Sequence, residues 1–435
     1  MIEKTIIQLT REQQAVLNNI RAVVSRQLRA TSLVEAEMVA KVLLKYGDMM
    51  REAGLAAELL EYIEQSRYRV DENSLLYLQL TVAMATTMDA LDDYYEDAEA
   101  LYREALASFE KLDPAAVAVE RANAEIAYGR HVLNVSHLQV AVDYYQHAVE
   151  LLSTAGYAVE AAVAASELGR AYSGQGDFVG ATPYFEQALA ALNQNDDAIT
   201  DSRIKADFAA TLIQLGDIDR AKTYLEDALK ACHTNGLWTI RGQVRRQLAY
   251  IDQILSESAT NDEEKQLYLA DARKKLNDAI DDLLPIHDTL GLAVAYHDIG
   301  RLEAKLREFE DADSHLRQSI EMFSRIGNRR NYAVALITLA QITLLKSGDS
   351  VKAVQYSHQA LNTAESIGDE FTQQQAVETL MRIHRIQAKH AAGQMSDEVR
   401  QRILEQINYS RAQFATLNLS EHLGALETII QDLEA

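Results

Sequence analysis

Arginine residues recur at a spacing of about forty in the middle of this sequence, and arginine is well suited to bind carboxylates. Arg130 and Arg170 mark this spacing. A guanidinium group is planar, and its paired N–H donors match the two oxygens of a carboxylate. Glu125 and Glu167 stand close by in the sequence. Two alternatives therefore stay open: these arginines bind an acidic ligand, or they form ion pairs inside the protein.

Motifs of catalysis and metal binding are absent from the sequence. No Gly-Lys dipeptide occurs, which excludes a Walker-type phosphate loop. No His-Glu-x-x-His motif occurs, and His384 and His390 do not share a helical face at metal-binding spacing. Cys232 and His233 are adjacent, so on a helix their side chains point apart. The sequence therefore predicts a non-catalytic protein without a metal or a cofactor.

The composition predicts an all-helical protein. The 435 residues are 48% hydrophobic and 25% charged, as is usual for a folded chain, but they include only 3 Pro and 18 Gly. Good helix formers dominate the remainder. The net charge of −23 argues against non-specific binding of nucleic acid. A single cysteine and the lack of any long apolar run predict a cytoplasmic protein without a membrane span.

Two amphipathic segments joined by a Gly-Asp turn form the unit that positions the arginines. Within Leu168–Leu189, Gly176 permits left-handed backbone and Asp177 caps the second segment. The second segment carries alanine and aromatic residues in a pattern that returns about forty residues earlier and later. The three strong copies are Ala141, Tyr144, Tyr145, Ala148 and Val149; Ala181, Tyr184, Phe185, Ala188 and Leu189; and Ala221, Tyr224, Leu225, Ala228 and Leu229. Weaker copies contain Ala98, Tyr102 and Ala105; Ala272, Leu276 and Ala279; Ala312, Leu316 and Ser319; and Ala353, Tyr356 and Ala360.

This unit resembles the tetratricopeptide repeat, whose helix A carries Leu-Gly or Leu-Ala and whose helix B carries Ala, an aromatic residue and Ala. The resemblance covers roughly residues 74–366. The period is near forty rather than about thirty-four, and the usual proline after helix B is missing. Such long-period repeats are similar to those of kinesin light chains and bacterial signalling regulators. The resemblance implies an all-α, right-handed superhelical solenoid of about eight to nine helix pairs, with a groove for a protein or peptide.

The ends of the chain are predicted to cap this array, because each end of a repeat stack exposes an apolar face. Residues 33–418 form the predicted solenoid, with a break near the polar stretch 256–265, and residues 419–435 form a capping helix. Residues 1–32 form an amphipathic helix that either caps the first repeat or docks on a partner or a second copy. Its apolar face consists of Val16, Ile20, Val23, Val24 and Leu28.

The resemblance also implies which side chains line the groove. In the family, the helix A position after the Leu-Gly or Leu-Ala pair faces inward. In this chain that position holds Arg130, Arg170, Ala210, Tyr250, Arg301, Gln341 and Arg382, and nearby inward positions hold Asn123, Arg203, Arg246 and His297. Four arginines among the seven predict a locally basic surface that binds carboxylates or an acidic peptide segment.

Three functions fit this architecture. The leading interpretation is a non-catalytic scaffold that holds a partner protein or peptide in its groove. The second is a peptide-responsive bacterial regulator similar to pheromone receptors, although residues 1–32 are too short for a DNA-binding domain. The third is a sensor or adaptor subunit of a signalling or defence complex whose enzymatic partner is encoded separately. Homodimer formation stays open on the sequence alone.

Overall fold

The computed structural model describes residues 17, 18, 20–22, 24, 33–52, 55–91, 94–134, 138–192, 198–286, 288–347, 350–391 and 397–434. Helical residues dominate these ranges, and no strand occurs within them. The helices are α1 (Leu33–Glu52), α2 (Ala56–Arg67), α3 (Leu75–Met88), α4 (Tyr95–Phe109), α5 (Ala118–Asn134), α6 (Leu138–Thr154), α7 (Ala158–Gly174), α8 (Phe178–Leu192), α9 (Ala198–Leu215), α10 (Ile218–Asn235), α11 (Trp238–Glu257), α12 (Asp262–Leu283), α13 (Thr289–Lys305), α14 (Phe309–Arg325), α15 (Arg329–Ser347), α16 (Ser350–Ser366), α17 (Glu370–Ala391), α18 (Asp397–Thr416) and α19 (Ser420–Glu434).

Within each unit, successive helices form hairpins, and neighbouring hairpins pack on each other. The first helix of each hairpin is called its A helix here and the second its B helix, so that α1 and α2 form the first pair and α17 and α18 the last. The last helix, α19, follows these pairs and contacts α17 and α18. The predicted all-α solenoid of helix pairs is thus confirmed.

The chain divides into two compact units. Unit 1 comprises Met1–Ala295 with Arg325–Gly327, and unit 2 comprises Tyr296–Ser324 with Asn328–Ala435. The division falls within α13. The polar stretch near residue 260 lies in unit 1, where the Asn261 side chain accepts the Glu264 N–H at 2.9 Å and caps α12. The Glu264 carboxylate in turn accepts the Thr260 N–H at 2.8 Å, so this stretch is a short capped turn.

The turns between paired helices follow from glycine and aspartate. Gly176 and Gly216 have φ angles of 86° and 80°, in the left-handed region that glycine occupies without a steric penalty. Asp177 then accepts the N–H of Gly180 at 2.8 Å and caps α8. In a weaker repeat, Arg307 adopts a φ of 64° at the matching turn between α13 and α14, so this turn forms without the glycine.

The core of each hairpin is built from the repeated B-helix residues. A Cβ atom added at Gly129 on α5 would lie 2.5 Å from a ring carbon of Tyr145 on α6, and Gly169 faces Phe185 in the same way at 3.0 Å. Glycine on the A helix therefore lets a large ring of the B helix approach the backbone closely. The fully buried repeat residues include Ala98, Tyr102, Ala105, Ala141, Tyr145, Ala148, Ala181, Phe185, Ala188, Ala221, Leu225, Ala272, Leu276, Ala312, Leu316, Ala353 and Ala360.

The described part of the N-terminal segment packs against the first hairpin. Leu17, Ile20 and Val24 are buried in the same apolar cluster as residues of α1 and α2. Arg21 donates to both carboxylate oxygens of Glu58 on α2, at 2.8 and 2.7 Å. These contacts fit the cap interpretation of residues 1–32. The other residues of the predicted apolar face lie outside the described residues, namely Val16, Val23 and Leu28.

Candidate functional site

A chain of polar contacts connects four consecutive A helices of unit 1. Arg130 on α5 donates from Nη2 to Glu167 Oε1 on α7 at 2.6 Å. Arg170 Nη1 forms an ion pair with Glu167 Oε2 at 3.1 Å, and its Nε lies 3.9 Å from Asp207 Oδ2 on α9. Gln243 on α11 donates to Asp207 Oδ1 at 2.8 Å. These five residues are called the polar ladder below.

The electrostatics of the polar ladder depend on burial. The Glu167 side chain is only 4% exposed. Burial alone would raise the pKa of Glu167, but the nearby Arg130 and Arg170 outweigh burial and lower that pKa to about 2. Burial raises the pKa of Asp207, which Arg170 only partly offsets. Glu167 therefore stays charged at neutral pH and holds both guanidinium groups in place.

Cations outnumber anions around the polar ladder. Arg203 on α9 acts electrostatically on both Glu167 and Asp207, which makes three arginines against two carboxylates. The Arg130 side chain is 43% exposed, and its hydrogen bond to Glu167 uses one of its five N–H donors. Arg130, Arg170 and Arg203 are called the arginine cluster below. The Arg130 and Arg170 side chains are thus partly open to solvent in a protein of net charge −23.

A small cavity of about 260 Å³ opens beside the arginine cluster between α7 and α9. Arg170 and Asp207 line it, together with Ala210, one of the positions predicted to face a groove. Ser173 and Thr211, which also line it, hydrogen-bond to each other at 2.7 Å. The cavity thus places a guanidinium group at a concave site that both polar and apolar side chains line.

The other predicted groove residues lie outside the five residues that define the polar ladder. Asn123 is exposed on α5, whereas Arg246 and Tyr250 are half-buried on α11. Arg246 acts electrostatically on the half-buried Asp288. In unit 2, Arg301 is half-buried on α13.

The prediction that His297 faces an open groove does not match the structure. The His297 side chain is buried, and its Nε2 lies 3.0 Å from Thr338 Oγ1 on α15. The residue thus contacts the next A helix of unit 2 and is not displayed to a partner. Its position on an apolar A helix explains the burial.

Two predicted groove residues of unit 2 meet in a larger cavity. Gln341 on α15 and Arg382 on α17 line a cavity of about 490 Å³ that also contacts α18 and the start of α16. The lining residues are Gln341, Leu344, Leu345, Ser350, Val351, Thr379, Arg382, Ile383, Ile386, Gln387, Val399, Arg402, Ile403 and Gln406.

Of the two acidic partners that the sequence indicates for the arginines, Glu167 pairs with them and Glu125 does not. Glu125 contacts Arg121 and His147 instead of Arg130, at 2.9 and 2.8 Å. The contribution of Asp207 was missed, although Glu167 and Asp207 repeat at the same spacing as Arg130 and Arg170. Recurrent acids at the arginine period were the signal that could have revealed the ladder.

Comparisons with known proteins agree with this architecture. Tetratricopeptide-repeat profiles match residues 172–235 and 291–366. The first match extends from the end of α7 to α10, and the second extends from α13 to α16. The fold is that of an α-solenoid built from helical hairpins. The chain therefore contains tetratricopeptide repeats in these two stretches.

Solved structures with the same fold have low sequence identity. A human IFIT1 dimer with m7Gppp-AAAA is 14% identical, with coverage of 98% of this chain and 96% of that chain and a TM-score of 0.53. A monomeric IFIT1 mutant with Gppp-AAAA is also 14% identical, covers 98% and 95%, and has a TM-score of 0.54. A signal-transduction ATPase with a tetratricopeptide-repeat sensor from Pyrococcus horikoshii is 13% identical, covers 85% and 56%, and has a TM-score of 0.47. No curated protein matches the sequence.

The repeats define the protein as an interaction scaffold, since arrays of this family are generally non-catalytic scaffolds. Within the described ranges, no group of three or more His, Cys, Asp or Glu residues is arranged to hold a metal ion. The same part of the chain contains no helix long and apolar enough to cross a membrane.

Proposed function

We propose that unit 1 binds an acidic segment of a partner protein or peptide through the arginine cluster. The observation that carries this proposal is the excess of three arginines over two carboxylates on neighbouring A helices. Arg130 and Arg170 are held by Glu167, so their positions are fixed before a ligand arrives. Less conformational freedom is then lost when a carboxylate binds.

The surface around the arginine cluster supports the same proposal. The small cavity next to Arg170 has room for a carboxylate or amide side chain. Asn123 is exposed on α5, the A helix that carries Arg130, and adds an amide that both donates and accepts hydrogen bonds. A ligand segment that follows α5, α7 and α9 would therefore meet three cations and neutral polar groups. In this proposal the partner carries the negative charge.

The test must keep the polar ladder intact. Replacing Arg130 and Arg170 together by alanine would remove both ion-pair partners of the buried Glu167, which destabilises the fold and obscures any effect on binding. Arg203→Gln removes a cation that acts on Glu167 through its charge alone. Arg130→Lys keeps a charge beside Glu167 but loses the planar guanidinium group. Arg103→Gln, on the exposed B-helix surface of α4, is the matched control.

Binding is measured by fluorescence anisotropy with a labelled peptide rich in Glu and Asp, and with the same peptide carrying Gln and Asn. We expect saturable binding of the acidic peptide alone, with an affinity that falls as salt rises. Arg203→Gln should weaken it about tenfold, as expected for a lost charge-assisted hydrogen bond, whereas Arg103→Gln should not. Equal affinity for the acidic and neutral peptides, or equal effects of the two variants, would refute the proposal.

Capture from the source organism then identifies the natural partner. The wild-type chain and the Arg203→Gln variant are used as baits, and the retained molecules are identified by mass spectrometry. A protein that the wild type retains and the variant loses supports the scaffold function. A short secreted peptide with the same dependence favours the peptide-responsive regulator.

A further inference from the structure

The larger cavity of unit 2 has walls of mixed chemistry. Its apolar walls come from leucine, isoleucine and valine residues of α15–α18, and no acidic residue is among its lining residues. Leu345 is 60% exposed, and Val399 is also exposed at this cavity. These are two of the few large apolar side chains that unit 2 exposes in its described part. An apolar ligand would cover surface that now faces water.

The glutamines that line the cavity already have hydrogen-bond partners. Gln341 donates to Thr379 Oγ1 at 3.4 Å. Gln387 donates to Gln406 Oε1 at 2.8 Å, and its own oxygen lies 2.8 Å from His384 Nδ1. These amides bind one another and leave few neutral donors for a ligand. The cavity therefore offers few hydrogen bonds to neutral polar groups of a ligand.

The two arginines of the cavity differ from these amides. Arg382 on α17 and Arg402 on α18 are exposed cations, and neither forms an ion pair with any residue that the structure describes. An anion placed between α17 and α18 would neutralise both of them. The cavity is thus suited to a ligand that carries one negative charge and an apolar surface.

The spacing of α17 and α18 explains why the cavity exists. These helices contact each other less closely than α15 and α16 do. A row of polar side chains joins α18 to its neighbours, since Ser410 Oγ lies 2.8 Å from His384 Nε2 and 2.9 Å from His358 Nε2 on α16. Apolar contact is correspondingly sparse at the other end of α18, beside Val399 and Ile403.

We infer that the unit 2 cavity binds a small amphiphilic carboxylate, with its apolar body between α15, α17 and α18 and its carboxylate on Arg382 and Arg402. The volume of about 490 Å³ lies within the usual range for small-molecule sites. This site is independent of the arginine cluster in unit 1, and the two proposals depend on different residues.

The probe is decanoate, measured by isothermal titration calorimetry below its micelle concentration, with hexanoate and octanoate as shorter analogues. We expect one decanoate per chain, and an affinity that rises about fourfold with each added methylene group. Decyltrimethylammonium, which has the same tail and a positive head, should bind at least about tenfold more weakly.

Variants separate the charge from the apolar walls. Arg382→Gln combined with Arg402→Gln should weaken decanoate binding about tenfold or more. Arg385→Gln, an exposed arginine on α17 that does not line the cavity, is the control and should leave the affinity within about twofold. Val399→Asp should weaken binding more than Val399→Asn, because the two variants differ only in a negative charge at the exposed wall.

Several results would overturn the inference, provided circular dichroism shows that the variants are folded. They are equal binding of the cationic and anionic amphiphiles, an affinity independent of tail length, and an unchanged affinity in the double arginine variant. If an acidic peptide binds unit 2 through Arg382 and Arg402 while decanoate binds no better than acetate, the occupant is a peptide and the inference is wrong.

Discussion

Asp282 holds together the hairpin of α11 and α12, and its neutralisation should destabilise unit 1. Its carboxylate accepts hydrogen bonds from Arg241 Nε and Nη2 at 2.9 and 2.6 Å, and from Arg245 Nη1 at 2.6 Å. The Asp282 side chain is only 6% exposed, and both arginines are largely shielded from water. The Asp282→Asn variant keeps the shape of the side chain but leaves two guanidinium groups without their counter-charge.

The size of the effect follows from this burial. Removing one partner of a buried ion pair costs about 3–5 kcal/mol, because the remaining charge is uncompensated. Both arginines keep a little solvent contact, so we expect a loss of about 3 kcal/mol, near the lower limit. In a unit of this size, such a loss corresponds to a fall in Tm on the order of 6 °C.

The assay has a natural reporter at this position. Trp238 is the only tryptophan of the chain, and the Arg241 guanidinium lies 4.0 Å from its ring centroid. Freeing Arg241 should change the tryptophan emission and its quenching by acrylamide, while thermal melting followed by circular dichroism gives the stability. Hydrogen exchange then shows whether the loss is centred on α11 and α12, as expected for a repeat array with nearest-neighbour coupling.

The control is the adjacent acid. Asp281 is exposed, so Asp281→Asn makes the same chemical change without leaving a buried charge. We expect it to alter stability by less than about 0.5 kcal/mol. If the Asp282→Asn and Asp281→Asn variants have the same Tm and the Trp238 signal is unchanged, the ion pairs do not stabilise this hairpin and the reasoning fails.

Three further predictions concern packing and protonation. Gly129→Ala should be strongly destabilising, because the new Cβ would overlap the Tyr145 ring. Gly424 has open space around it, so Gly424→Ala should stabilise the protein by up to about 1 kcal/mol through helix propensity. Urea unfolding compares the two variants. Burial lowers the pKa of His384 from 6.5 to about 4, so the folded state favours the neutral ring. The stability of unit 2 should therefore fall by about 2 kcal/mol between pH 8 and pH 5. Melting at several pH values should show this loss in the wild type and not in the non-titrating His384→Gln variant. Burial raises the pKa of Cys232 to about 11, so its thiol should react with Ellman's reagent much more slowly at pH 8 in the native protein than in urea, and comparable rates would contradict its burial.

The helix pairs could be predicted from the sequence because their determinants are local. The Ala–aromatic–Ala pattern on the B helices coincides with the buried face, and the Gly-Asp turns lie where the helices end. Weaker repeats were also recognised, although Arg307 replaces the turn glycine there. These features depend on residues within one hairpin, where spacing alone fixes which side chains meet.

The candidate sites depend on contacts between hairpins, and the sequence indicates these less well. Arg130 pairs with Glu167 on the next A helix, while the closer Glu125 pairs elsewhere. The spacing of α17 and α18, which creates the unit 2 cavity around Arg382, has no signature in the periodic pattern. Distances between neighbouring repeats depend on packing that the pattern does not encode.

The polar ladder has a consequence for how such an array could lengthen. Helix α7 carries an acid that pairs with the preceding A helix and a base that approaches the following one, Glu167 and Arg170. A tandem duplicate of α7 and α8 would therefore carry its own acid and its own base. The arginine of one copy would pair with the glutamate of the next copy. Gene duplication could therefore add this hairpin without leaving an unpaired buried charge. A duplicate of α11 and α12 would lengthen the array without lengthening the ladder, because the ion pairs of Asp282 form within that one hairpin.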